Sequence, residues 1–318
     1  MNGFDYFLLY AYNIPVKGRE SSAIYNLREG HIMRINNRCF ELLLALKQKS
    51  IQQVKTENTF GDPTAIDKCL QVMLDQNMGF LTETPQFFPS LDLEWVLPNS
   101  LHTAIVEHDF GQYHLYDQVL APLDSLLCRH IEFRLYAATP QRLLDLADYL
   151  ADKTVRSVSF LLPYESFLTS RFLKNFYERC AKVDFMLIYD APEDADVIPQ
   201  KVYWRSHWLP GGSSKTPRYV VNLQYFTESQ HHNPYYNRKV AISRNGQIKN
   251  CLQLAESHGQ VTTDGLVNVV HQSSFQELWF SAPDCIKDIQ DSPLRYGLFI
   301  PYPLTKTDQP GQYQIANA

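Results

Sequence analysis

The 318-residue sequence predicts an α/β protein built from three consecutive parts. Between Leu101 and Tyr189, short apolar strand segments alternate with helical segments, an order typical of βαβ units around a parallel sheet. Ahead of that region, two short strands precede three helices with apolar residues at helical spacing. Behind it, Asn245 and Gly246 lie between two apolar runs and predict the turn of a β-hairpin.

The composition predicts a globular protein with a sizeable core. Hydrophobic residues make up 45% and charged residues 20% of the chain. A net charge of −5 disfavours nucleic acid as the main partner. No apolar run is long enough to span a bilayer, and the N-terminal apolar stretch follows Asp5 with neither a basic residue nor a cleavage site. We therefore expect a cytoplasmic protein with no nucleic-acid and no membrane partner.

Residues 1–90 have the pattern of a small winged-helix-like module. Asn36, Ser50 and Asp62 each precede an apolar-periodic run, and their side chains can cap the first free N–H groups of a helix. The predicted elements are strands over 22–27 and 31–35, helices over 38–47, 51–57 and 62–76, and a closing strand over 79–82. The Pro-rich segment 84–98 is predicted to be a linker.

Residues 100–225 predict a partial (β/α) barrel. Its predicted strands cover 101–108, 129–136, 156–162 and 183–189, its helices cover 113–127, 140–151 and 167–180, and short strands follow over 201–206 and 219–222. These strands are too few to close an eight-stranded barrel, so we expect an open sheet. The C-terminal part, 226–318, contains the hairpin predicted to pair 239–243 with 247–251.

Several strings of this sequence resemble the SPASM-domain peptide maturases of the grasp-with-spasm type. The strings are YNIPVKG at 12–18, MGF at 78–80, LEW at 93–95, FTESQ at 226–230, YYNRKVAI at 235–242 and NGQIKNC at 245–251. In order and spacing they extend over most of the chain. The resemblance implies a radical-SAM-like partial barrel, a SPASM-like C-terminal region, a leader peptide bound by the N-terminal module, and an ATP-grasp ligase as partner.

The cysteines depart from the pattern of that family. The six cysteines are scattered without any CxxC pair, whereas an iron–sulfur cluster is held by clustered thiolates, usually about four. Only Cys251 matches an implied ligand, and the loop 108–114 after the first barrel strand contains no cysteine. The other implied ligand positions are occupied by Tyr235, Ile289, Ser292, Leu298 and Pro301. We therefore expect a degenerate, non-redox pseudo-radical-SAM protein with neither a cofactor nor a metal.

The N-terminal module also predicts a peptide-binding edge. An extended peptide can add to an exposed sheet edge, where main-chain hydrogen bonds give affinity and side-chain pockets give register. The candidate edge strand consists of His31, Ile32, Met33, Arg34 and Ile35, and the candidate groove wall consists of Ile66, Leu70 and Met73. The same apolar residues also fit the core of the module itself.

Polar residues at the predicted barrel mouth form a second candidate site. They are Glu107, His108, Asp109, Glu132 and Arg134. Carboxylates and histidines at strand ends can transfer protons or bind zinc. Alternatively, Glu132 and Arg134, which face the same side of their strand, form an ion pair with each other. The alternatives of a peptide-modifying enzyme with non-cluster chemistry, and of a structural or regulatory protein unrelated to peptides, stay open from the sequence.

Overall fold

The computed structural model describes residues 5–192, 202–205 and 218–316. Contacts divide this part of the chain into two compact units. The first contains the described residues of Met1–Val96, Thr216–Pro234 and Ser281–Ala318, and the second those of Leu97–Lys215 and Tyr235–Phe280. The α/β class with a parallel sheet is confirmed. The three-part division of the chain and the winged-helix and SPASM-like identities of its ends stay predictions.

The helices and strands alternate along most of the described chain. The strands are β1 Tyr6–Leu9, β2 Asn13–Lys17, β3 Ser22–Asn26, β4 His31–Ile35, β5 Gly79–Thr82, β6 Thr103–His108, β7 His130–Leu135, β8 Ser157–Pro163, β9 Val183–Tyr189, β10 Val202–Arg205, β11 Arg218–Tyr219, β12 Lys239–Ile242, β13 Gln247–Lys249, β14 Gly259–Gln260, β15 Leu298–Phe299, β16 Leu304–Lys306 and β17 Tyr313–Ile315. The helices are α1 Asn37–Leu46, α2 Ile51–Thr56, α3 Pro63–Asp75, α4 Ala121–Ser125, α5 Pro140–Ala151, α6 Ser170–Arg179, α7 Leu223–Ser229, α8 Leu266–Val270 and α9 Ser273–Gln276. Among the residues that the structure describes, no helix has the length and apolarity needed to cross a membrane.

The first unit contains an antiparallel three-stranded sheet in the order β2-β3-β4, followed by α1, α2 and α3. The helices begin where capping predicts, because Asn36, Ser50 and Asp62 each accept a hydrogen bond from a backbone N–H of the first turn. One sheet face packs on these helices through Ile24, and the other packs through Tyr25 on Phe226 of α7 and on the C-terminal segment. Strands β1 and β2 were not predicted from the sequence. Pro15 lies in β2, and an edge strand tolerates proline because one side of it needs no ladder N–H donor.

The second unit contains an eight-stranded sheet in the order β10-β9-β8-β7-β6-β12-β13-β14. The strands from β10 to β12 pair in parallel, and β12, β13 and β14 pair antiparallel. The predicted hairpin forms, with Gly246 in the left-handed region at φ +81°. The sequence placed this hairpin in a separate C-terminal part, but β12 pairs directly with β6, the first parallel strand.

Several predicted element bounds change. The helix expected over 113–127 is a π-helical segment, Tyr116–Leu120, followed by α4, and the helix expected from 167 begins only after its N-cap Thr169. The strand expected over 219–222 ends at Tyr219. Of the strand expected over 201–206, residues 202–205 are β10, and residues 201 and 206 lie outside the described part.

Candidate functional site

A groove in the first unit lies between β4 with the start of α1 on one side and α3 on the other. Its cavity has a volume of about 650 Å³. Of the predicted peptide-binding residues, the lining contains Met33, Arg34, Ile35, Ile66 and Met73. The structure therefore brings the predicted edge strand and the predicted helix wall together around one cavity.

The other three predicted peptide-binding residues lie apart from the cavity lining. Leu70 is fully buried in the core formed by β3, β5 and the helices. Ile32 packs on the opposite face of the sheet with Tyr25, and His31 is exposed at the first position of β4. Strand alternation accounts for Ile32, because it places this side chain on the sheet face opposite Met33 and Ile35.

β4 is an edge strand of its sheet. In the part of the chain that the structure describes, β4 pairs with β3 alone, in the register Met33↔Ile24. The opposite edge of such a strand carries N–H and C=O groups that can pair with another extended chain. This edge borders the groove through Met33 and Ile35, which are both half-buried.

Three cations lie along the groove. Arg34, Arg38 and Lys68 are exposed and line the cavity, whereas Glu20 is the acidic residue of the lining. None of the three cations forms an ion pair with a carboxylate within the described residues. The groove therefore presents positive charge above an apolar floor.

Part of the α3 wall was not predicted from the sequence. Ala65, Lys68, Cys69 and Val72 line the groove, and their spacing of three or four residues places them on one helix stripe. This stripe lies beside the buried core stripe that contains Ile66 and was available from the helical periodicity. Val72 of this stripe is 50% exposed although it is apolar.

The second candidate site lies on one face of the parallel sheet. In the parallel register Glu107 is beside Arg134, and the Arg134 Nε–H donates to Glu132 Oε1 at 2.7 Å. Glu107 is held separately, because its Oε1 accepts from the Tyr136 hydroxyl at 2.7 Å. The predicted ion pair between Glu132 and Arg134 is therefore present, and the residues share one face.

His108 does not join these residues, because it has the opposite strand parity. The residue is 1% exposed and its ring packs against Phe110 and Tyr113 at centroid distances of 4.9 and 4.6 Å. Burial lowers the pKa of His108 to about 4, so the imidazole is neutral at physiological pH. Asp109 instead forms an ion pair with Arg244 at 2.8 Å. Within the described residues, no three His, Cys, Asp or Glu side chains gather as a metal site would require.

A buried lysine on this sheet face was likewise not predicted from the sequence. Lys239 of β12 is 7% exposed, and its Nζ lies 3.5 Å from the ring centroid of Tyr235. The pKa of Lys239 is lowered to about 8, chiefly by burial and to a smaller extent by the charge of Arg134, while Cys251 and Glu132 oppose the shift. The register β12–β6–β7 places Lys239 and Glu132 on the same sheet face. Only the pairing of β12 with β6 reveals this neighbourhood.

No family model and no curated protein matches the chain. Solved structures to which the chain is similar include three of SuiB from Streptococcus suis. SuiB bound to S-adenosylmethionine is 10% identical, with 85% of this chain and 89% of that chain covered at a TM-score of 0.25. A further SuiB structure is 12% identical, with 86% of this chain and 89% of that chain covered at a TM-score of 0.21. SuiB bound to the precursor peptide SuiA is 9% identical, with 85% of this chain and 89% of that chain covered at a TM-score of 0.21. Scores of this size do not establish a shared fold.

Proposed function

We propose that this protein binds a precursor peptide as an added strand along β4, as a non-redox pseudo-radical-SAM partner in the maturation of ribosomal peptides. The observation that carries peptide binding is the cavity of about 650 Å³ between an edge strand and a partly apolar helix wall. An edge strand supplies main-chain hydrogen-bond partners, and the wall supplies contacts for alternate side chains. In this proposal the half-buried Met33 and Ile35 contact the peptide, whereas Ile66 and Met73, which are 1% and 3% exposed, form the core beneath the groove.

The length of β4 defines the size of the bound segment. β4 has five residues. At about 3.3 Å per residue it can pair with a peptide segment of about five residues. Every second side chain of that segment would point into the groove, where Met33 and Val72 offer apolar contacts. We therefore expect a peptide with apolar residues at alternating positions.

The charges of the groove favour an acidic peptide. Arg34, Arg38 and Lys68 lie along the cavity without carboxylate partners among the described residues. Complementary charges increase the association rate, and salt screens exposed charges. We expect carboxylates beside the apolar positions of the peptide and weaker binding at higher ionic strength.

The side chains at the implied cluster-ligand positions support the non-redox part of the proposal. Tyr235, at an implied cluster position, contacts Lys239 through its ring. Ile289, Leu298 and Pro301 have no side-chain atom that can bind iron. The residues present therefore do not fit the iron–sulfur clusters that the resemblance implies. We propose an ATP-grasp ligase as a further partner, because the sequence resemblance implies one.

Substitution of Val72 tests the groove. We expect Val72→Asp to weaken peptide binding by at least about tenfold, because it places a carboxylate in the apolar wall. Synthetic peptides tiled across the short open reading frames beside the gene serve as probes, and fluorescence anisotropy measures their affinity. Val267→Asp is the matched control, because Val267 is an exposed valine on α8, outside the groove. Equal affinities of both variants, or no binding by the unchanged protein, would refute the proposed function.

Proline substitutions test the strand edge. Consecutive N–H groups of a strand point to opposite edges, so one of Met33→Pro and Arg34→Pro removes a donor of the free edge of β4. We expect one of the two variants to lose peptide affinity by at least about tenfold while its denaturation midpoint stays near that of the unchanged protein. Circular dichroism in denaturant and anisotropy provide the two readouts. Retention of affinity in both variants would argue against strand addition.

A second candidate function is favoured by one observation on the parallel sheet. Lys239 has a pKa of about 8, and an amine with a pKa near neutrality can act as a base or nucleophile. Glu132 on the same face could exchange protons with it, as in a peptide-modifying enzyme with non-cluster chemistry. A mass change of the bound peptide that Lys239→Met abolishes would favour this candidate, and an unchanged peptide mass would remove it.

A further inference from the structure

Two thiols from opposite walls of the groove meet at its lining. Cys39 lies in the first turn of α1, and Cys69 lies in the middle of α3. Their Sγ atoms are 3.2 Å apart, and both residues line the cavity and are half-buried. Cys128, Cys180 and Cys251 are buried, so the half-buried thiols of the described part are Cys39, Cys69 and Cys285.

We propose that Cys39 and Cys69 form a thiol–disulfide exchange site whose co-reactant is a small disulfide such as oxidised glutathione. The geometry supports it, because a disulfide has an S–S distance of about 2.05 Å, so the two sulfurs need to approach by only about 1 Å. Disulfides of this kind in proteins of reducing compartments are usually transient or redox-sensing. The half-buried position in an open cavity gives the co-reactant access to the thiols.

The exchange has two steps. One of the two thiols ionises, and the hydrogen bond between the sulfurs, in which either atom can be the donor, stabilises the thiolate. This thiolate attacks one sulfur of the small disulfide, the S–S bond breaks, and the thiolate that leaves takes up the proton released by the ionisation. The other cysteine then loses its proton and attacks Sγ of the first, and the second small thiol leaves with that proton. The two protein thiols are oxidised by two electrons, and the small disulfide is reduced to two thiols.

The new disulfide is expected to weaken peptide binding in the groove, and this expectation rests on the proposed function. The start of α1 continues directly from β4, and α3 forms the facing wall. A bond between Cys39 and Cys69 joins the two walls and opposes any widening that an entering peptide requires. The oxidised protein therefore binds the peptide at least about tenfold more weakly than the reduced protein.

Mass spectrometry after treatment with oxidised glutathione tests the site. All proteins carry Cys285→Ser, because Cys285 is the other half-buried thiol. The parent protein is expected to lose two hydrogens, and a non-reduced digest should show Cys39 linked to Cys69. Cys39→Ser should instead retain one glutathione on Cys69, because no second thiol resolves the mixed disulfide. Cys69→Ser should likewise retain one glutathione on Cys39.

The outcomes separate this site from the proposed function. The absence of the Cys39–Cys69 linkage after this treatment would overturn the exchange site. Peptide affinity is measured on the same reduced and oxidised samples, with the protein lacking both thiols (Cys39→Ser with Cys69→Ser) as the control that oxidation should not affect. A reduced protein without peptide affinity would refute peptide binding, and the mass measurement would still decide whether the two thiols exchange. An oxidised protein with unchanged affinity would overturn the closure of the groove.

Discussion

Replacement of Phe160 with alanine is expected to lower the free energy of unfolding by about 3–5 kcal/mol, as for other fully buried phenylalanines. Phe160 of β8 is 0% exposed. Its ring stacks on Phe133 of β7 at a centroid distance of 5.2 Å and meets the edge of Phe176 of α6 at 5.3 Å. The substitution removes both aromatic contacts and leaves a cavity between the sheet and the helix that covers it.

Denaturation by guanidinium, followed by circular dichroism, measures this effect. Phe87→Ala is the matched control, because Phe87 is 72% exposed and its truncation should change the unfolding free energy by less than about 0.5 kcal/mol. If Phe160→Ala were as stable as Phe87→Ala, the ring at 160 would not lie under α6, and the assignment of this sheet face to the core would be wrong.

Replacement of Lys239 with methionine is expected to raise the free energy of unfolding at pH 7 by about 2 kcal/mol. The folded pKa is about 8 and the unfolded pKa about 10.5, and this difference corresponds to a charge-burial penalty of about 3 kcal/mol. Loss of the contact between the ammonium and Tyr235 offsets about 1 kcal/mol of the gain. Methionine keeps the unbranched shape of the lysine stem.

The pH dependence of this effect has a definite sign. Between pH 8 and 10.5 the unfolded chain binds more protons at residue 239 than the folded chain, so the stability contributed by this site rises with pH. The advantage of Lys239→Met over the unchanged protein should therefore be largest below pH 8 and disappear by about pH 10.5. Denaturation of both proteins at pH 7, 9 and 10.5 measures it. Lys174→Met, at an exposed position of α6, should show no such trend, and a trend of the same size there would contradict the assignment.

Local sequence signals predicted the elements of the groove. The side chains of Asn36, Ser50 and Asp62 cap α1, α2 and α3 as expected, because capping depends on hydrogen bonds within a few residues. The strand at His31–Ile35 forms at the predicted residues. The division of β4 between groove and opposite face was not predicted, since Ile32 and Met33 are both apolar and only packing distinguishes their sides.

Local sequence signals did not predict the contacts between residues that are far apart in the chain. Cys39 and Cys69 are thirty positions apart, and their proximity depends on how α1 packs beside α3. Lys239 and Glu132 lie on the same face of the sheet because β12 pairs with β6. These two strands come from segments more than a hundred residues apart. His108 was expected beside Glu107, but adjacent strand residues face opposite sides, and its buried ring packs in the apolar layer.

The sequence by itself determined the α/β class, the caps of the N-terminal helices and the turn at Asn245 and Gly246, because periodicity, capping and turn chemistry act between residues close in the chain. Only the tertiary structure decided which side chains line the groove, which thiols touch and which charges share a sheet face. Those neighbourhoods arise from the packing of helices and the pairing of remote strands, and their free energy depends on burial that no short segment achieves alone.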